Sequence, residues 1–297
     1  MPAASFTLAR DFLHLSRPTR SSSIDPKTCR GDLSRQNLAS DDPVIANRKA
    51  NFTMANTTNP EQLRSARSIA TGAQAALEAI DIRKSLPLGR ERIDILKGIS
   101  LRIEHGAFVA IVGPSGSGKS TLLGIIAGLD NPTSGQVFVD GVDITRMSEG
   151  KLAAVRNQKI GMVFQAFNLI PTLTAQENVE VPLYVGKHPG KPSDRAKELL
   201  TLVGLGHRLG NKPNQMSGGE QQRVAVARAL ATNPAIVIMD EPTGNLDKKN
   251  GDNVLQMIRD LRQATGTTFV IATHDPNVAS SADRSIRIVD GLVANGE

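Results

Sequence analysis

Residues 113–121 read GPSGSGKST: glycines at 113, 116 and 118, then a lysine and two hydroxyls. That spacing, G-x-x-x-x-G-K-[ST], suits a phosphate chain. Glycines let the backbone wrap it closely, the loop amides point inward, and a helix starting at the lysine adds its positive end. The expected nucleotide contacts are therefore Gly113, Pro114, Ser115, Gly116, Ser117, Gly118, Lys119, Ser120 and Thr121. Lys119 would reach the β- and γ-phosphates and the Ser120 hydroxyl would ligate Mg²⁺. Further on, AIVIMDEP (235–242) is an apolar run that ends in two acids. Asp240 at its carboxyl end could hold the metal, and Glu241 could polarise an attacking water as general base. Acids often end strands, so this pair carries weight only beside the upstream glycine loop. A second run, MSGGEQQRVAVARAL (216–230), opens with Ser217, Gly218 and Gly219 and continues as a helix. Ser217 with Glu220 fits a capping box. A cap accounts for the serine but not for two consecutive glycines, so one domain carries two loops suited to anions.

Strand–helix alternation must position these groups. AFVAIVG (107–113) and AIVIMD (235–240) read as buried strands, and a helix is expected over 119–127. KIGMVFQ (159–165) and TTFVIATH (267–274) read as further strands, and DILKGISLRI alternates as a strand should. GQVFVDGVDI (135–144) and IRIVDGLVA read as extended pieces about Asp-Gly turns, the last as a hairpin. Residues 172–212 break the alternation and look helical. Thr174 with Glu177 forms a capping-box pattern, and Ser193 is the expected cap of DRAKELLTLVG. Fully apolar strands alternating with helices imply an α/β fold, a mostly parallel sheet covered on both faces, with a small helical subdomain at about 166–216.

The totals narrow the function classes. The 297 residues allow a sizeable core, and no apolar run reaches 18 residues, so nothing is expected to span a bilayer by itself. The single cysteine, Cys29, cannot pair internally, which fits a reducing compartment. Net charge is +6, but residues 1–76 hold 10 Lys/Arg against 6 Asp/Glu, leaving 77–297 at only +2. The body therefore lacks the basic footprint of a nucleic-acid binder, and no specific nucleic-acid partner is expected. Residues 1–76, rich in Ser, Thr, Asn and Arg, read as a disordered extension preceding a domain at 77–297. A targeting peptide, a regulatory tail and a true start at Met54 are the competing explanations.

With these motifs in hand, the chain resembles the ATP-binding-cassette (ABC) ATPases over about 79–297. GPSGSGKST, Gln165 in FQ, SGGEQQ (217–222), IMDEP, GNLD (244–247) and ATHD (272–275) occur in that family's order. The resemblance implies a P-loop NTPase core with an antiparallel β subdomain and the helical subdomain, hydrolysing ATP with Mg²⁺. It implies that Gln165 contacts the metal or attacking water, that His274 contacts the γ-phosphate, and that Asp247 communicates across a dimer. It also implies a head-to-tail dimer in which Ser217, Gly218, Gly219 and Glu220 of one copy cover the ATP held by the other. Within the family the chain is similar to the branch of lipoprotein-releasing ATPases, macrolide exporters and a YbbA-like group, the last being nearest. The implied partners are integral membrane permeases of the FtsX/lipoprotein-release type, and the implied location is the cytoplasmic face of a bacterial inner membrane.

One position departs from the pattern. The family's adenine-stacking aromatic falls here on Leu86, in RKSLPLG, so weaker nucleobase discrimination is expected. Two other classes compete. A DNA-repair type would insert long coiled coils, yet only 51 residues separate Gln165 from Ser217. A soluble regulatory or ribosome-associated ABC ATPase would ordinarily carry two cassettes. A degenerate, inactive subunit is disfavoured because Lys119, Asp240, Glu241 and His274 are all present.

Overall fold

Apolar runs and alternating runs end up in different sheets. The computed structural model describes residues 75–294 apart from Arg90 and Lys187; the expectations for residues 1–74 lie outside the described residues. Strand β1 (Ala75–Leu88) buries its first three residues in succession, whereas β2 (Glu91–Glu104) alternates buried and exposed positions along its second half, as a sheet with one solvated face requires. They pair antiparallel, and β1 also pairs with β4 (Ser134–Val139), which turns into β5 (Val142–Asp143). This sheet has the order β2-β1-β4-β5. The first strand begins at Ala75, two residues before the expected edge of the domain, with Ala75 and Ala76 buried.

The second sheet is built from runs buried on both faces: β3 (Phe108–Val112), β6 (Ile160–Val163), β7 (Ile236–Asp240) and β8 (Thr268–Thr273). These four and β9 (Arg284–Val289) are parallel, and β10 (Leu292–Val293) closes the edge antiparallel, in the order β10-β9-β3-β8-β7-β6. Asp290 and Gly291 both take positive φ between β9 and β10, as do Asp140 and Gly141 between β4 and β5. Both Asp-Gly turns are thus of the tight hairpin kind the sequence suggests.

Alternate residues of the central strands feed two cores. Ile236, Ile238, Val270 and Ala272 pack with Leu77 and Ile82 of the antiparallel sheet and with Leu122 and Ile125 of α1 (Lys119–Ile126). Val237, Met239, Phe269 and Ile271 face the opposite core, shared with α5 (Gly218–Leu230) and α6 (Lys248–Thr265). The remaining helices are α2 (Glu149–Lys159), α3 (Ala175–Glu180), α4 (Pro192–Leu202) and α7 (Pro276–Ser280). No helix among the described residues is long and apolar enough to cross a membrane.

Helices α3, α4 and α5 form the helical subdomain, with Val179, Leu199, Leu200 and Val224 in one core. Thr174 caps α3 as expected: it accepts from Glu177 N at 3.2 Å, and its own N–H donates to Glu177 Oε2 at 2.8 Å. The expected Ser193 cap is not formed. The helix starts two residues earlier than that cap implies, at Pro192, whose fixed φ and missing N–H suit the first turn, and Lys191 precedes it without a side-chain cap.

Candidate functional site

The glycine loop joins β3 to α1 and is shaped by what surrounds it. A Cβ at Gly113 would fall 2.1 Å from the Ile288 carbonyl, so the strand can pass β9 only as glycine. Gly118 takes φ +100 immediately before α1, and a Cβ there would lie 2.7 Å from Leu96 Cδ2. Within the loop the Ser117 N–H donates to the Pro114 carbonyl at 3.3 Å. Lys119 is 7% exposed and donates to the carbonyls of Gly113 and Pro114 at 2.8 and 2.9 Å. The Ser117 hydroxyl is buried in the same loop without a partner.

Across the loop, β7 and β8 end side by side. Ser120 donates to Asp240 Oδ1 at 3.4 Å. Burial, with a smaller push from Glu241, holds the Asp240 carboxyl above its ordinary pKa, against the opposing pulls of Ser120 and Lys119. Glu241 takes a left-handed φ of +46, rare for a residue with a side chain, and its N–H donates to the Ala272 carbonyl at 3.0 Å. His274 Nδ1 stands 2.9 Å from Glu241 Oε1. A cavity of about 620 Å³ gathers Glu241, His274, Ser115, Gly116, Lys119, Ser120, Thr121 and also Ile95.

Two of the expected metal-binding residues are not among those lining that cavity. Asp240 lies behind Ser120. Gln165 lies beyond Glu241: a Cβ at Gly244 would be 2.9 Å from Gln165 Nε2 and 3.4 Å from Glu241 Oε2, so both side chains flank that glycine. Asn245 donates to the Gln165 carbonyl at 2.8 Å and ties the glutamine to the GNLD turn. The hydroxyl of Ser120 and the carboxylate of Asp240 are oxygen donors of the kind a hard divalent cation takes, and they fit Mg²⁺.

The Ser-Gly-Gly loop is absent from this cavity. Ser217 accepts from Glu220 N at 3.3 Å, and its own N–H donates to Glu220 Oε2 at 2.8 Å, completing the capping box of α5. These bonds, led by the Ser217 N–H, and the Arg208 guanidinium hold the Glu220 carboxyl below its ordinary pKa. Asp247 caps α6. Leu86 is 45% exposed and pairs with Ile93, itself two residues along β2 from the cavity-lining Ile95.

One contributor was not singled out from sequence. Arg228, in the last turn of α5, donates to the carbonyls of Phe167 and Asn168 at 2.8 and 2.6 Å. Both are non-glycine residues at left-handed φ, +61 and +48. Its only sequence signal is a cation set within an apolar helix stripe, VAVARAL. Burial holds the guanidinium below its usual pKa.

Fold and site together define an α/β phosphate-loop nucleotide hydrolase with an inserted helical subdomain. Residues 96–244 match the ABC transporter family. The chain is 48% identical over 218 residues to the lipoprotein-releasing system ATP-binding protein LolD of Geobacter metallireducens, covering 73% of this chain and 97% of that one. It is 49% identical over 223 residues to the macrolide export ATP-binding/permease protein MacB of Syntrophobacter fumaroxidans, covering 73% of this chain but 31% of that longer protein. The dimeric, post-hydrolysis structure of the ATP-binding cassette MJ0796 bound to ADP and Pi superposes with a TM-score of 0.69 at 46% identity, over 74% of this chain and 97% of that one. The chain belongs to the ABC transporter family, as an ATP-binding and ATP-hydrolysing subunit that powers a membrane permease.

Proposed function

We propose that two copies of the chain close head to tail on two ATP molecules and that the closure works an integral membrane permease of the FtsX/lipoprotein-release type. Glu241 is the general base, held toward the phosphate loop by its backbone turn and by His274. His274 meets the γ-phosphate, and Lys119 and the loop amides from Gly113 to Thr121 bind the phosphate chain. Ser120, Asp240 and Gln165 would hold Mg²⁺, whose charge would offset that of the phosphate chain. Ser217, Gly218, Gly219, Glu220 and Asp247 act on the partner copy's ATP. The observation that carries this reading is the Glu241–His274 pair facing the phosphate loop across one cavity, while the Ser-Gly-Gly loop of the same chain stays outside it. The differential affinity of the closed dimer for ATP over ADP supplies the work. The protein would sit peripherally on the cytoplasmic face of a bacterial inner membrane.

The test is Glu241→Gln. Hydrolysis is expected to vanish while ATP binding persists and an ATP-bound dimer accumulates on gel filtration. Wild-type turnover in this variant would remove Glu241 as the base.

A further inference from the structure

Strands β6 and β7 pair in parallel as far as Val163 and Met239, where their ladder ends. Gln165 and Glu241 stand two residues further along each strand, so the β6–β7 ladder does not fix one against the other. The side chain of Asn245 spans that gap: its amide donates to the Gln165 carbonyl at 2.8 Å. Asn245 belongs to the turn that carries Glu241. In that turn the Gly244 N–H donates to the Glu241 carbonyl and the Leu246 N–H to the Thr243 carbonyl, both at 3.0 Å.

The other end of Gln165 meets the same turn one residue earlier. A Cβ on Gly244 would lie 2.9 Å from Gln165 Nε2 and 3.4 Å from Glu241 Oε2, so the glutamine amide rests against a bare Cα with the Glu241 carboxylate beside it. Adjacent residues of one turn thus hold the backbone of Gln165 and seat its side chain. Further along, the chain is tied to a different element. Arg228 of α5 donates to the carbonyls of Phe167 and Asn168 at 2.8 and 2.6 Å. The Asn245 bond therefore refers Gln165 to the turn of Glu241, whereas the Arg228 bonds refer the following residues to the helical subdomain.

We infer that Asn245 is a positioning residue for hydrolysis, whose amide sets Gln165 in register with Glu241. This rests on the roles proposed above for Gln165 at the metal and Glu241 as base. Asn245 is not among the residues lining the cavity, so it acts through Gln165 and not on the nucleotide. With its carbonyl held, the Gln165 side chain starts from a fixed point relative to the base. A misplacement of about 1 Å at such a site can cost on the order of a hundredfold in rate. Without the bond the Gln165 carbonyl is free to leave the turn, and its amide loses its place on Gly244.

The test uses the full chain with two variants. Asn245→Ala removes the amide, and Asn245→Asp keeps its size but replaces the N–H donor with a carboxylate oxygen. Each is expected to lower kcat with Mg-ATP by about fivefold or more, while metal-free ATP binding stays within about twofold of wild type. A second readout needs no turnover. In a Glu241→Gln background, Asn245→Ala should weaken Mn²⁺ binding to the ATP-loaded protein about threefold, read by electron paramagnetic resonance. Because Asn245 acts through Gln165, adding Asn245→Ala to Gln165→Ala should cost nothing further. Wild-type kcat in Asn245→Asp, unchanged Mn²⁺ binding, losses that track the melting temperature, or a full additional loss in the double variant would each overturn the inference. Gln165→Ala alone separates the two levels. If it hydrolyses ATP and binds Mn²⁺ as wild type does, the role of Gln165 falls and the inference with it. If it is impaired while both Asn245 variants behave as wild type, the inference alone falls.

Discussion

The Lys119 ammonium already has two acceptors, the carbonyls of Gly113 and Pro114, so a phosphate must win it from its own loop. It does so because the phosphate oxygens carry full negative charge and add a Coulombic attraction that neutral carbonyls lack. Lys119→Ala is therefore expected to weaken ATP binding by about 1.5–3 kcal/mol, read by calorimetry. At the expected base end of the nucleotide, where the family resemblance predicts an aromatic ring, Leu86 is exposed beside Ile93. Aliphatic carbons can cover a base face, but stacking on an aromatic is worth ~1–3 kcal/mol per base. GTP should then compete measurably with ATP, and Leu86→Tyr should shift the ATP/GTP affinity ratio toward ATP. An unchanged ratio would remove Leu86 from the base site. Residues with chemistry in fixed spacing, such as Lys119, Glu241 and His274, were legible because type and order both mark them. Arg228 was not, because its partners are backbone carbonyls, which leave no pattern in sequence.

The same division holds among the elements. β3, β7 and β8 are buried on both faces and read as continuous apolar runs, so their place in a mostly parallel sheet could be inferred. α2 gave no such signal: of EGKLAAVRNQK only Leu152 is buried, so there is no apolar stripe to see. The start of α4 was misplaced because a serine inside the first turn resembles a cap, whereas Pro192 fixes the boundary. α5 was read correctly as a capped helix, and its cap carries a charge that can be tested. Glu220 is held ionised below the ordinary glutamate pKa, first by the Ser217 N–H and also by Arg208. Its folded pKa is depressed, so its stabilisation is present above the unfolded value of about 4.3 and is lost as pH falls through the lowered folded value. Glu220→Gln keeps the capping geometry and removes the charge. It should be less stable than wild type at pH 7 by about 1 kcal/mol or less, since the pair with Arg208 is partly solvated. Urea midpoints of the two proteins should converge toward pH 3.

For the whole molecule, the proposed dimer gives the two anion-suited loops of one chain different ATP molecules to serve. The phosphate loop lines the cavity with Glu241 and His274, whereas Ser217 is spent on capping α5 and lies outside it. MJ0796, which shares this fold at 46% identity, has been solved as a dimer with ADP and Pi. A substitution at Gly218 separates binding from closure. A Cβ there would meet Leu246 Cδ2 at 3.4 Å and Phe167 Cζ at 3.8 Å, ordinary contacts that the protomer can accommodate without refolding. Larger atoms beyond that Cβ would occupy the approach to a partner's γ-phosphate. Gly218→Val should therefore bind ATP as a monomer with near wild-type affinity, yet neither dimerise on ATP nor hydrolyse it. Calorimetry gives the first quantity, and phosphate release with gel filtration gives the others. Hydrolysis at the wild-type rate would show that the loop never reaches a second copy, and the two loops would then have to be explained within a single chain.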